Sequence, residues 1–462
     1  MKMKHILIVF ALCSAVLLGS CGTTAAPATT AAPETTTAPG TETTTETGEN
    51  PVKLESVYAA ASFDPADRDE IRWRLAFGQT AEEAAIVEGI ARLAGRALPE
   101  LAAARPDENV VFSTPSLALA LGMLAQGAEG ATREELLTAL GQSEDGAWMA
   151  ELITALNLEL EEEDMPKVTI ESSGALWLQD GCRLRAEYGE TASRIWHADI
   201  NVWALEEREA AHEAIGQWYE ARSHGLLPAS TVPDDLPNEY TSLILLDALY
   251  YKANWQESFS AAATVDDVFH AADGGEIPVR MMQQSLSGQT AIRRDDYQIA
   301  RLALAGGYEF VVALPTGDRG ADELLVDEDF RRDFVAPRVD EFDIEWQLPQ
   351  LDLQLGADLM PLLEKLGVKT VTGAEADFGA LFEDAEPGDY VLGALRQDAR
   401  LLLDEEGVEA AAVTLAAVEG SAMPVELETL VMRLDRPFIA EIRSRAGLPL
   451  FSMVVRDPGV RP

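Results

Sequence analysis

The chain has 462 residues, with 79 acidic against 35 basic side chains, a formal net charge of −44 and a pI near 4.3. That balance excludes partners with a phosphate or sulfate backbone, such as nucleic acid or heparin, because binding them needs a basic footprint. An apolar share of 47% and a mean hydropathy of −0.03 exclude an acidic disordered chain, so most of the molecule folds. Length alone allows one large domain or several small ones.

Lys2 and Lys4 open the chain, and Ile6–Leu18 form an apolar run shorter than the ~20 residues a membrane span needs. The run ends in Leu18-Gly19-Ser20-Cys21, a lipobox. The expectation is a bacterial lipoprotein signal over residues 1–20, cut before Cys21, whose thiol takes a lipid such as palmitate. The competing reading is an ordinary secretory signal in which Cys21 is incidental. Gly22 carries no inner-membrane retention cue, which favours an outward-facing, extracytoplasmic cell surface. Thr, Ala, Pro, Glu and Gly dominate the chain up to about residue 50, and a disordered stalk is expected over 21–60. As a flexible coil it would hold the domain on the order of 30 Å from the membrane. Removing residues 1–20 takes two Lys and no acid, leaving a charge of −46. Cys182 is then the one Cys beyond the lipidated end, so no intramolecular disulfide can form. An exported domain without disulfides depends on a large core, for which this chain is long enough.

The residue types of known catalytic centres do not assemble into a motif. Apart from His5, the His residues are His197, His212, His224 and His270. None stands in an HExxH frame or at metal-ligand spacing to a Cys. There is no GxSxG elbow, SxxK pair or glycine-rich phosphate loop. His212 and His224 fall in or beside the helical-looking stretch 206–223, where a solvated helix face is expected. The run Glu161–Asp164 lacks the alternating Asp/Asn and central Gly of a calcium loop. Paired carboxylates for glycoside hydrolysis stay open as an enzymatic reading, weakened by the abundance of acids. No cofactor and no metal is expected.

In chain order, residues 80–105 show apolar positions at helical spacing, among them Ile86, Ile90, Leu93 and Leu101. Asn109–Ser113 reads as a short buried strand, and Ser116–Ala125 as a helix buried on all sides. Thr132-Arg133-Glu134-Glu135 reads as a capping box opening another helix. Leu243–Lys252 reads as a strand buried on both faces except at Asp247. Further strands are expected at 276–282, 297–304, 309–314, 344–349 and 399–403, and as three runs within 425–456. Helices early, long strands late and no regular βαβ alternation argue an α+β fold.

Residues 404–424 bridge two of those strands without the amphipathic pattern of a surface helix. Gly407 opens the stretch, and Val408, Ala410, Ala412, Thr414, Ala416 and Val418 would share one face of an extended strand. All are small, and all but Thr414 are apolar. Glu409 and Glu419 fall on the other face. The stretch suits a mobile exposed loop, and it equally suits a tight slot in a sheet. An ordinary Ala-rich connection or a short helix remains the bland alternative.

Over residues 70–460 the chain resembles the serpins. The run Glu405-Glu406-Gly407-Val408-Glu409-Ala410-Ala411-Ala412-Val413-Thr414 resembles the proximal hinge of inhibitory members. Asn109–Gly141, Asp247–Phe259, Gly274–Met282, Leu363–Val368 with Ala376–Gly379, Arg436–Phe438 and Leu448–Pro458 resemble further family blocks, in the family's order. The resemblance implies a large mixed central sheet, two smaller sheets, about nine helices and an exposed reactive-centre loop. It implies no enzyme but a suicide inhibitor of serine, and of some cysteine, proteases. The protease attacks the loop, an acyl-enzyme forms, and the freed loop enters the central sheet as an extra strand, leaving a covalent complex. A monomer anchored by lipid is expected, with no nucleic acid and no heparin as partners.

By family spacing the scissile bond falls fourteen residues after Gly407, between Ser421 and Ala422. A small residue there suits elastase-like or subtilisin-like proteases. Glu419 is an alternative, suited to a glutamyl endopeptidase, and Ala422 a third choice. Ser113 and Ser116 match the family's shutter serines, and Trp255 the Trp where insertion begins. Gln397 stands where the shutter His is usual, Asp247 where Asn is usual, Val408 where Thr or Ser is usual and Met453 where Gly is usual. A buried Asp247 requires a partner or a raised pKa, and Gln397 is the expected donor. A non-inhibitory serpin acting as a surface binding module is the alternative within the fold; the Ala triplet and Glu405–Gly407 favour inhibition.

Overall fold

A computed structural model describes residues 56–58, 80–142, 168–234, 236–238, 243–336, 340–408 and 427–460, with isolated positions between 146 and 160 and at 241. The chain divides into Met1–Pro51, which lies outside the described residues, and Val52–Pro462. Only the second unit is described below.

Its strands and helices run as follows: β1 Ser56–Tyr58, α1 Ala81–Ala104, β2 Val110–Phe112, α2 Thr114–Gly127, α3 Gly130–Leu140, β3 Leu158–Leu160, β4 Val168–Gln179, α4 Ala186–Arg194, β5 Ala198–Trp203 and α5 Arg208–Arg222. The second half adds β6 Leu243–Asn254, β7 Val265–His270, β8 Glu276–Arg293, β9 Tyr297–Ala303, β10 Glu309–Pro315, α6 Ala321–Leu325, α7 Glu328–Val335, β11 Asp340–Pro349, β12 Leu351–Asp358 and α8 Met360–Leu366. The last strands are β13 Ala394–Leu403, β14 Gly407–Val408, β15 Glu428–Arg433, β16 Phe438–Arg443 and β17 Pro449–Val455. The α+β class expected from the sequence holds.

The N-terminal helix signals act as physics requires. Thr80 caps α1: its hydroxyl accepts from Glu83 N at 3.1 Å, and the Glu83 carboxylate accepts from Thr80 N at 2.8 Å. In α2 every residue but Gln126 is buried, which is why its sequence shows no polar face. The capping box expected at Thr132 is not one. α3 begins two residues earlier, at Gly130, with no side-chain cap. Thr132 Oγ1 accepts from Asp377 N at 3.0 Å, and the Glu135 carboxylate accepts from the backbone of Lys369 and Thr370. Tertiary partners have taken both side chains. His212, expected on a solvated face, is half-buried on α5 with Nδ1 2.9 Å from Leu236 O, and exposed His224 lies just beyond that helix.

Two sheets organise the fold. The first runs β1-β5-β4-β6-β14-β13-β12, with β3 on β4. The second runs β15-β11-β8-β9-β10-β16-β17-β2, with β7 on β8, so the two smaller sheets form one path through the long β8. The stalk expected over 21–60 ends differently: Ser56–Tyr58, with strand-forming Val57 and Tyr58, pair with β5. The main core lies between the sheets around α1 and α2, and takes Leu243, Leu245, Tyr251 and Ala253 from one face of β6. The opposite face, Ile244, Leu246 and Ala248, packs with Trp177, Trp203 and Tyr219 under α5. This is why the β6 sequence is apolar on both faces.

Candidate functional site

The site lies in the first sheet, at the seam between β6 and β13. Ala394–Gln397 pair in parallel with Ile244–Asp247. Beyond Gln397 and Asp247 the two strands part. At the far end β13 turns through Asp404–Glu406 and returns as β14, antiparallel to both neighbours. Gly407 lies opposite Asn254, and Val408 opposite Ala253 on one side and Leu403 on the other. Between these rungs, residues 248–252 pair with β4 and residues 398–402 with β12 along their outer edges, and among the described residues the two runs do not pair with each other. The result is a slot whose mouth holds two residues of a new strand.

Local chemistry sets that turn. Asp404 Oδ1 accepts from Glu406 N at 2.9 Å and from Gly407 N at 3.3 Å. Gly407 has φ of +146°, and a Cβ there would run into the Ala253 carbonyl oxygen. Val408 is 1% exposed and joins the main core. Trp255, packed edge-on to Phe259 and Phe310, donates Nε1 to Asp404 O at 2.8 Å and its backbone N to Glu406 O at 2.9 Å. Phe259 N donates to Glu405 O at 2.9 Å, and Asn254 Nδ2 to Glu406 O at 3.2 Å.

The Glu405 carboxylate takes Thr264 Oγ1 at 2.6 Å and Gln350 Nε2 at 2.8 Å. Burial pushes its pKa up, but these hydrogen bonds outweigh burial and hold it below the ordinary value. Glu405→Ala is expected to lower the stability of the native protein by roughly 1.5–3 kcal/mol, the range for hydrogen bonds to a charged group. Urea unfolding at neutral pH measures it; an unchanged midpoint would refute the latch. Neither partner was legible in the sequence, because Thr264 and Gln350 lie 141 and 55 residues from Glu405.

The lower end of the slot brings Ser113, Ser116, Asp247 and Gln397 together. Gln397 does not serve Asp247 as expected. Its Oε1 accepts from Ser113 N at 2.9 Å and its Nε2 donates to Ser113 O at 3.0 Å, which closes the amide on one backbone. Asp247 is 4% exposed, and neither carboxyl oxygen has a hydrogen-bond partner. Burial pushes its pKa up to about 7; the neighbouring Ser116 hydroxyl opposes this without reaching hydrogen-bond geometry. On β13 Arg396 and Asp398 bind each other, at 2.8 and 2.7 Å, and offer Asp247 nothing. Met453 is fully buried on β17 opposite Ala440.

Cys21, Glu409, Ala410, Ala411, Ala412, Val413, Thr414, Glu419, Ser421 and Ala422 lie outside the described residues. Half-buried Cys182 is no ready nucleophile, since burial and then the Asp180 charge push its thiol up to about 11. Among the described residues no group of three or more His, Cys, Asp or Glu could hold a metal ion.

A family model described as serpin (serine protease inhibitor) matches residues 88–458. The chain belongs to the serpin family. Serpins are typically serine protease inhibitors, not enzymes, and form covalent complexes with their targets. The chain is 26% identical over 370 residues to Serpin-ZXA of Oryza sativa subsp. japonica, covering 76% of this chain and 90% of that one. Neuroserpin of Mus musculus is 26% identical over 363 residues, covering 76% and 87%. The structure of human thyroxine-binding globulin with thyroxine superposes with a TM-score of 0.67 at 21% identity, covering 82% of this chain and 99% of that one. At that identity the match concerns the fold, which this serpin shares.

Proposed function

We propose that this serpin inhibits serine proteases by loop insertion, with elastase-like or subtilisin-like enzymes as targets and Ser421–Ala422 as the attacked bond. Lipidated Cys21 would hold it at a bacterial cell surface, where it guards against external proteases. The observation that carries the reading is Val408, already buried between Ala253 and Leu403 at the head of an open slot. The residues that follow alternate small side chains on the face that would be buried, so the slot can receive them. The bond chemistry is the protease's, so this reading requires no nucleophile of the chain's own.

The test is to mix the protein with elastase-, subtilisin-, trypsin- and glutamyl-type proteases and run denaturing gels. A complex that survives SDS with one of the first two is the expected result. Cleavage within 409–426 without a complex would overturn inhibition, and an unmodified Cys21 thiol in the mature protein would overturn the anchor.

One observation favours the binding-module alternative. A cavity of about 710 Å³ lies between α1, α7 and the second sheet, lined by Leu98, Phe330 and Phe334 with Glu441, Arg443 and Ser452 among its polar residues. A volume of this size accommodates a small organic molecule, and thyroxine-binding globulin, which shares the fold, is described in complex with thyroxine. Clean loop cleavage together with saturable binding of an apolar fluorescent probe would support this reading.

A further inference from the structure

Where β6 and β13 part, a segment of chain crosses the gap on the outer face of the sheet. The rungs on either side of the gap fix the rows: counting three residues on from Asp247 and Gln397 puts Tyr250 and Arg400 in one row, on opposite lips of the slot. Both look to the outer face. Tyr250 alternates with the main-core residues Tyr251 and Ala253, and Arg400 with the main-core residues Ala399 and Leu401. α5 packs on that outer face, and Ser223–Leu226, which follow it, reach both lips.

On the β6 side the His224 ring lies against Tyr250, with centroids 4.3 Å apart. Its Nε2 is 2.8 Å from Oε2 of Glu171, the β4 residue paired with Tyr250. On the β13 side Arg400 Nη1 donates to Leu226 O at 3.2 Å. Arg400 Nε and Nη2 bind the Asp352 carboxylate of β12, each at 2.9 Å, and this fork fixes where Nη1 points. The turn between is tight: His224 has φ of +51° and Gly225 of +82°, and Ser223 Oγ accepts from Leu227 N at 2.9 Å. A left-handed backbone is unfavourable for His and open to Gly, so the ring contacts of His224 offset a local strain. Tyr219 of α5 lies beside Asp398 on β13, but its hydroxyl makes no hydrogen bond.

We infer that Ser223–Leu226 is a brace across the closed slot. Arg400 ties β13 to a turn seated on β4 and β6, and His224 holds that turn where Arg400 can reach Leu226 O. With no rungs between residues 248–252 and 398–402, this bond resists separation of the two lips, and it must break before they move apart. Arg400 and His224 are positioning residues that set how readily the slot opens. The proposal rests on the loop-insertion reading and adds a control on it.

The experiment warms full-length wild type, Arg400→Lys, His224→Gly and the double variant, and follows conversion of uncleaved protein to a guanidinium-resistant form. Lys keeps a charge for Asp352 but loses the fork, so Arg400→Lys should convert about fivefold faster, the factor for one hydrogen bond of ordinary strength. His224→Gly should convert roughly two- to threefold faster, as for an exposed contact, while its native unfolding midpoint stays level or rises. The double variant should be no faster than Arg400→Lys, because His224 acts through the bond already lost. Rates that multiply in the double variant, rates equal to wild type in the single variants, or a lowered midpoint in His224→Gly would each overturn the brace and leave insertion standing. A wild type that gains no guanidinium resistance even after loop cleavage would overturn loop insertion and the brace with it.

Discussion

Asp247→Asn is expected to raise the stability of the native serpin, by about 4 kcal/mol above pH 7 and by much less near pH 4. The carboxyl titrates near 7 in the folded protein and near ~3.9 in an unfolded chain. Between those values the native state binds the proton that the unfolded state has released. Stability is therefore full below about pH 4, falls as pH rises, and levels off above about pH 7. The folded and unfolded values lie roughly three pH units apart, and each unit is worth ~1.36 kcal/mol, which gives about 4 kcal/mol. An amide has nothing to ionise, so the variant should lose this pH dependence. The check is the thermal midpoint of wild type and variant at pH 5.5 and pH 8. The gap between them should widen by about 2 kcal/mol across that interval. Equal midpoints at both pH values would show that the carboxyl finds a partner in solution. The more stable native state should also convert more slowly to an inserted form without cleavage.

Val408→Glu is expected to abolish covalent trapping and leave a plain substrate. Val408 is 1% exposed, between Ala253 and Leu403 in the sheet and packed in the main core. An uncompensated buried charge costs about 3–5 kcal/mol. A barrier raised by ~3 kcal/mol slows insertion more than a hundredfold, so hydrolysis of the acyl-enzyme overtakes it. Val408→Thr has the same shape and a hydroxyl that can be satisfied, and should keep most of the trapping. The ratio of SDS-stable complex to cleaved protein measures both variants. Trapping by Val408→Glu at the wild-type ratio would show that the first hinge residue need not be buried for inhibition.

Elements carried by local chemistry were readable from the chain. The helical spacing of residues 80–105, the buried α2 and the apolar β6 each follow from residue types within a few positions of one another. Thr132 and Glu135 show where that reading stops. They have the spacing of a capping box, but backbone groups more than 230 residues away take both side chains. The hinge composition was visible, as was the misfit of an Asp at position 247. Its remedy was misjudged, because Gln397 spends its amide on Ser113, 284 residues distant. No periodicity encodes which of two acceptors a buried amide will choose.

The sequence by itself determined that this chain is acidic and carries an α+β serpin fold. It also determined that a run of small residues follows Gly407, because side-chain size and backbone freedom belong to each residue alone. Only the tertiary structure decided that β6 and β13 part above Gln397, that Val408 already fills the mouth of the slot, and that Asp247 has no partner. Those are matters of strand register and of competition for hydrogen bonds between distant segments, and neither exists until the sheet has formed.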